Sequence, residues 1–309
     1  MSRQTDAILD LCRALPPART AIVHPVKANV IEAAQEAARE GLIVPVLVGP
    51  AARIAEAAEA AGIDIAGWEV VDTEHSHAAA AKAAALAAGR HVDAVMKGAL
   101  HTDELLGAII AASSGLRTER RISHAYLMSI ATYPKPFVIT DAAVNILPDL
   151  VAKADIVQNA VDLWCIVFGE TVPPKVAVLA AVETVNPKMQ ATLDAAALCK
   201  MADRGQISGC LIDGPLALDN AISRAAAREK GIVSQVAGDA DILVVPDIEA
   251  GNMLAKQLTF LGGAEAAGIV LGARVPVILT SRADDERARL LSCALAVLVA
   301  DARARGVIK

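Results

Sequence analysis

The chain has 309 residues, 55% of them apolar, and a formal charge of −6, which suits one large α/β unit or two smaller ones. That acidity leaves no global positive field for nucleic acid or an anionic membrane surface, so neither is expected as a partner. The longest apolar run, residues 290–300, contains Ser292 and Cys293 and falls short of the roughly 20 residues a membrane span requires.

The first residues, MSRQTDAILDLCRALPPAR, contain no signal-type apolar core, and a soluble, cytoplasmic protein is expected. Residues 20–24 (TAIVH) read as a strand, followed by a helix over 30–40 closed by Gly41. Residues 44–48 (VPVLV) form the next strand, and Gly49-Pro50 introduces a helix over 51–61 closed by Gly62. A strand over 68–72 precedes a long helix that stops at Gly89. Further strands are expected at 92–96, 125–130, 137–140, 176–180, 209–212, 241–245 and 275–280. Such alternation, with Val and Ile in the short runs and Ala in the long ones, predicts an α/β fold with a mostly parallel sheet and right-handed crossovers. Tyr133-Pro134-Lys135-Pro136 is the best local boundary, and a crossover is expected near 268–275. Two lobes follow, 1–136 plus 275–309 and 137–274. Five widely spaced cysteines, Cys12, Cys165, Cys199, Cys210 and Cys293, read as buried reduced thiols.

In open parallel sheets ligands collect where strand carboxyl ends feed helix N-termini. Polar residues immediately after predicted strands occur in four places. Ser281-Arg282-Ala283-Asp284 follows the 275–280 strand. Arg282 suits bidentate phosphate binding, while Ser281 and Asp284 equally suit helix capping. Asp247 ends the 241–245 segment, followed by Gly251-Asn252 and a helix carrying Lys256; an ordinary Asx cap explains this as well. Asp213-Gly214-Pro215 reads as a strand end and turn, with Asp219 near a helix start. Lys97-Gly98 and Thr102 follow the 92–96 strand as a phosphate clasp. Downstream, Arg117, Arg120, Arg121, Ser123 and His124 form the most basic short patch, either an anion site or a solvated face. The chain has no G-x-G-x-x-G, G-x-x-x-x-G-K-[ST] or G-x-S-x-G motif, and no zinc-type spacing; His75 and His77 read as turn residues.

Asp213-Gly-Pro-Leu216 with Asp219, Pro246-Asp247 with Ala250-Gly251-Asn252, Ser281-Arg282 and Lys97-Gly-Ala-Leu-His-Thr102 occur in the order seen in the phosphate acetyltransferase and phosphate butyryltransferase family, which the sequence resembles over nearly its whole length. The resemblance implies two three-layer α/β/α lobes of the isocitrate/isopropylmalate dehydrogenase-like architecture with a cleft between them, and a homodimer. It implies reversible acyl transfer between coenzyme A and inorganic phosphate, with coenzyme A as a substrate, no permanently bound cofactor and no metal ligands. Arg282 is then the phosphate ligand and Ser281 a hydrogen-bond donor to the reacting groups. The Gly214-Pro215 and Gly251-Asn252 loops line the site.

The sequence departs from the acetyl pattern in several ways. The base expected about two turns beyond Ser281-Arg282 falls near Ala288, leaving Asp284 as its nearest substitute. Ala255 stands where an aromatic is common, and Gly107 where the acetyl branch has an arginine that Arg121 replaces. With Glu183-x-x-Asn186-Pro187, these features lean towards the butyryl-like branch. The competing readings are a metal- and NAD-dependent dehydrogenase of the same architecture and a non-catalytic sensor of acyl-CoA or acyl phosphate.

Overall fold

The computed structural model describes residues 3–279 and 285–308, with side chains from Thr5 onward. Ser281, Arg282 and Asp284 lie outside the described residues. In chain order the elements begin with α1 (Arg3–Cys12), β1 (Ala18–Val23), α2 (Ala28–Arg39), β2 (Ile43–Gly49) and α3 (Ala51–Ala61). Then come β3 (Glu69–Asp72), α4 (Ser76–Ala88), β4 (Ala94–Lys97) and α5 (Thr102–Ile110). The middle of the chain forms β5 (Ser123–Ser129), β6 (Phe137–Thr140), α6 (Leu150–Phe168), β7 (Lys175–Leu179) and α7 (Gln190–Asp203). It continues with β8 (Leu211–Leu216), α8 (Leu218–Ile222), α9 (Arg224–Glu229), β9 (Ile242–Val244) and α10 (Ile248–Phe260). The end supplies β10 (Glu265–Leu271), β11 (Val277–Ile278) and α11 (Glu286–Ala304).

These elements divide into two compact units, Thr5–Arg120 with Ala267–Lys309, and Arg121–Ala266 with the chain's first four residues. The bounds place β5 with β6, to which it is hydrogen-bonded, whereas the expected lobes divide at residues 136 and 274. In the first unit β3, β2, β1, β4 and β11 are all parallel in that order, and β10 closes against β11 as an antiparallel neighbour. Ile22, Val23, Leu47, Val48, Val95, Met96, Val277 and Ile278 are all buried, as strands covered on both faces require. The covering helices present alanines, with Ala79, Ala80, Ala83, Ala84 and Ala87 of α4 all buried, so their backbones approach closely.

In the second unit the order is β5-β6-β9-β7-β8, with β5 antiparallel to β6 and the remaining four strands parallel. Its core packs Phe137, Ile139, Leu243, Val245 and Ala255 together, with Leu254 and Leu258 of α10 against them. Ala255, where an aromatic was the common residue, is therefore a core position filled by a small side chain.

Two expectations of local structure change. Gly214-Pro215 does not end β8; the strand continues through it to Leu216, opposite Leu179, with a register shift between Ala177 and Leu179. The edge location explains this, since an irregular edge strand tolerates a glycine and a residue without an N–H. The chain passes from one unit to the other at Ala266–Ala267, beside the crossover expected near 268–275, and continues there as a β10–β11 antiparallel pair. Its first strand, EAAGIVL, opens with small residues that give little strand signal. Helix α4 does stop at Gly89, but Gly89 has φ −76°, and the left-handed turn falls on Arg90 at φ 58°.

All five cysteines are free. Burial pushes the thiols of Cys12, Cys199 and Cys293 up to about 12 and that of Cys210 up to about 11; Cys165 is also raised, chiefly by burial.

Candidate active site

Because β6, β9, β7 and β8 are parallel, their carboxyl ends share one edge of the second unit. β5 runs the other way, so its start, just after Arg121, lies at that same edge. Asp247 follows β9 and caps α10, its Oδ1 accepting from the Ala250 N–H at 2.9 Å. Its carboxylate is thus used as an Asx cap, the ordinary reading of that motif. One turn on, a Cβ at Gly251 would lie 2.7 Å from Val245 Cγ2 and 3.0 Å from both Ala142 Cα and the Asp141 carbonyl oxygen. Only glycine lets α10 press against that backbone. Asn252 completes the tie by donating from Nδ2 to the Ala142 carbonyl at 3.2 Å. Lys256 is exposed one further turn along α10.

At β8, Asp213 is inside the strand rather than at its end, and its Oδ1 accepts from the Gly214 N–H at 2.8 Å. Asp213 lines a groove of about 590 Å³ with Asp203, Cys210 and Val236. A Cβ at Gly214 would sit 2.8 Å from the Val178 carbonyl oxygen, so this glycine allows β7 and β8 to close. Pro215 follows it in the strand. Asp219, at the start of α8, lies 3.4 Å from Lys230 Nζ. Lys230 also holds Glu183 at 3.1 Å, and this bond keeps the Glu183 carboxyl below its ordinary range. Asn220 donates to the same Glu183 oxygen at 3.4 Å.

In the first unit the carboxyl ends of β1, β4 and β11 share an edge. Lys97 is the last residue of β4. Gly98 folds back on β1: its N–H donates to the Val23 carbonyl at 3.0 Å, and a Cβ there would lie 2.3 Å from that oxygen. His24 turns at φ 54°, and its Nδ1 is 3.1 Å from the Ala99 carbonyl. Thr102 opens α5. Leu279 follows β11 at this edge, and description resumes at Asp285, whose Oδ1 caps α11 by accepting from the Ala288 N–H at 2.8 Å. Ser281, Arg282 and Asp284 fall in the interval.

Each unit thus brings part of the expected set to a strand edge: Lys97, Gly98 and Thr102 in one, and Arg121, Asp219, Asp247, Gly251 and Asn252 in the other. Asp213 lies inside its strand. Asp141 and Asn145 lie at the second edge but were missed in the sequence. Yet Asp141 immediately follows the expected strand 137–140, the rule that located the other loops.

His124 was read within the basic patch, as part of either an anion site or a solvated face, and its burial removes it from any solvated face. It is fully buried on β5, next to the Ala125–Thr140 register pair and so across from Asp141. Its ring sits 4.3 Å from that of Tyr126, and neither ring nitrogen has a hydrogen-bond partner. Burial lowers its pKa to about 4, against an opposing pull from the Asp141 charge. An unfolded histidine titrates near 6.5, so between about 4 and 6.5 the unfolded chain binds a proton that the folded chain refuses. The stability this gives is complete above that window and lost as pH falls through it, about 2 kcal/mol by pH 5. Urea unfolding at pH 7 and pH 5 is expected to show this loss in the wild type and not in His124→Phe. Equal losses in both would assign the acid sensitivity elsewhere.

Residues 76–297 match the family described as "Phosphate acetyl/butaryl transferase". The chain is 58% identical over 285 residues to the phosphate acetyltransferase of Rickettsia prowazekii, covering 92% of this chain and 81% of that one. It is 43% identical over 271 residues to the phosphate butyryltransferase of Clostridium acetobutylicum, covering 88% and 89%. The crystal structure of a branched-chain phosphotransacylase from Enterococcus faecalis V583 superimposes with a TM-score of 0.78 at 28% identity, covering 91% of this chain and 99% of that one. With the strand-edge loops in place and the match spanning both units, this chain belongs to the phosphate acetyl/butyryltransferase family.

Proposed function

We propose that the chain catalyses reversible transfer of a short acyl group, acetyl in the first instance, between coenzyme A and inorganic phosphate. The carrying observation is the 58% identity over 92% of the chain to a protein named phosphate acetyltransferase, against 43% to one named phosphate butyryltransferase. On this reading acetyl is tried before the butyryl-like branch towards which Ala255, Gly107, Asp284 and Glu183-x-x-Asn186-Pro187 lean. The strand-edge loops supply the place for the chemistry.

A phosphate oxygen attacks the thioester carbonyl carbon, the C–S bond breaks, and the coenzyme A thiolate leaves with the electron pair and takes up a proton. In reverse, the thiol loses its proton, attacks the acyl phosphate carbonyl and expels phosphate. Arg282 neutralises the phosphate, Ser281 hydrogen-bonds the oxygen or sulfur on which charge develops, and Asp284 exchanges the thiol proton. Lys97 and Thr102 with the Gly98 turn, together with Arg121, Gly214, Pro215, Gly251, Asn252 and Lys256, contribute the remaining contacts to coenzyme A and phosphate. Asp213, Asp219 and Asp247 hold their loops in shape, each through the bond described above.

The protein works as a cytoplasmic homodimer, as the resemblance implies, and holds no permanent cofactor. No helix among the described residues is long and apolar enough to cross a membrane. The test is release of free thiol from acetyl-, propionyl- and butyryl-CoA with and without phosphate. Phosphate-dependent release is expected, fastest with acetyl-CoA. No such release with any short acyl-CoA would overturn the reading.

A further inference from the structure

We propose that Asp141 and Asn145 are positioning residues for Arg121, holding its guanidinium so that its outer nitrogens face a phosphate group of the substrates. The proposal rests on the acyl-transfer reading for the identity of that ligand.

The geometry is a chain of fully used polar groups. Asp141 is 3% exposed and Asn145 is 5% exposed. Asp141 Oδ1 accepts from the Ala143 and Val144 N–H groups, both at 3.0 Å. Its Oδ2 accepts from the Asn145 N–H at 3.1 Å and from Asn145 Nδ2 at 2.6 Å. Asn145 Nδ2 also donates to the Ile122 carbonyl at 2.9 Å, so both amide hydrogens are committed and the side chain cannot be flipped without loss. Its Oδ1 then has one direction left, and it accepts from Arg121 Nε at 2.7 Å.

The backbone of Arg121 is fixed as well. Its N–H donates to Asp155 Oδ2 at 3.0 Å, and its carbonyl accepts from Asn159 Nδ2 at 2.9 Å. A long side chain is therefore held at its root and at Nε. Among the described residues the two Nη groups meet no acceptor and form no ion pair. These outer nitrogens are the ones that bind a phosphate in the fork geometry.

Charge placement favours an anion. The group touching the guanidinium is a neutral amide, so the cation keeps its full charge. Behind that amide, the Asp141 carboxylate is one residue removed and spread over four N–H donors, and Asp155 is engaged by the backbone N–H. An arginine held for structure alone is ordinarily neutralised by an acid; this one is held by an amide and left open. Preorganising it removes part of the side-chain entropy that binding would otherwise cost.

Either inorganic phosphate or a phosphate of coenzyme A could occupy the fork, and the test separates them. Wild type, Arg121→Ala, Asn145→Ala and the double variant are titrated calorimetrically with coenzyme A and with inorganic phosphate, which requires no turnover. KM and kcat are measured with acetyl-CoA and with S-acetylpantetheine, which lacks the phosphates of coenzyme A. Arg121→Ala is expected to weaken one phosphate-bearing ligand about tenfold, and Asn145→Ala to weaken the same ligand several-fold, moving KM more than kcat. Because Asn145 acts through Arg121, the double variant is expected to match Arg121→Ala alone. A defect seen with acetyl-CoA and absent with S-acetylpantetheine assigns a coenzyme A phosphate; a weakened inorganic phosphate assigns that ligand instead.

Effects of the two substitutions that add, or unchanged affinities in either single variant, overturn the proposal, as does a wild type that binds neither ligand. If Asn145→Ala does not fold, Arg121→Lys replaces it: lysine has no Nε for Asn145 to hold, so the same loss is expected, and unchanged binding overturns the proposal. A wild type that binds the ligands but releases no thiol counts against the acyl-transfer reading and leaves the binding test standing.

Discussion

Arg282→Ala is expected to lower turnover about 10²–10³-fold and to raise KM for phosphate, with the unfolding midpoint unchanged. Phosphate enters the reaction as a nucleophile and leaves it as a leaving group, so its charge must be balanced in both directions. Arg282 lies outside the described residues, and its assignment comes from the family resemblance of the Ser281-Arg282 pair. Phosphate-dependent thiol release in the purified variant is the measurement. Wild-type kinetics would remove Arg282 from the site. Arg282→Lys is expected to recover only part of the rate, because an ammonium cannot match two phosphate oxygens at once.

Lys153→Met is expected to destabilise the fold by about 3–5 kcal/mol without touching the chemistry directly. Lys153 lies one turn from the Asp149 cap of α6, and its Nζ is 2.6 Å from Asp194 Oδ2 on α7. The two side chains are 5% and 7% exposed. Gln190 donates to the other Asp194 oxygen at 2.8 Å, so both carboxylate oxygens are engaged within the fold. Removing the ammonium alone strands a buried carboxylate, whereas removing both charges does not. Lys153→Met with Asp194→Leu is therefore expected to recover most of the loss in chemical denaturation. A double variant as unstable as the single one would show that packing, not charge, accounts for the effect.

Much of this architecture is legible from local pattern. Helix α3 spans Ala51–Ala61 as expected, because Gly49-Pro50 and the left-handed Gly62 (φ 67°) mark both ends. Strand β6 also matches its expected bounds, since FVIT is bracketed by Pro136 and a polar loop. β10 was lost because Ala-Ala-Gly carries no strand preference, and its strand character comes from neighbours distant in sequence. Gly214-Pro215 misled for the opposite reason: turn residues sit inside a bulged edge strand, a context no short window records. In the site, motif order pointed to the Gly98 and Gly251 loops. The support behind Arg121 was hidden because Asp141 and Asn145 gain their meaning only through β5–β6 pairing.

The raised cysteines have a practical consequence for an enzyme whose other reactant is itself a thiol. At neutral pH coenzyme A presents a small thiolate fraction, while thiols held near 11 to 12 present almost none. Exchange of the acyl group onto Cys12, Cys199, Cys210 or Cys293, or formation of a mixed disulfide with coenzyme A, is correspondingly slow. Disulfide dyes added to the folded enzyme are therefore expected to react with the coenzyme A thiol well before Cys12, Cys199, Cys210 or Cys293.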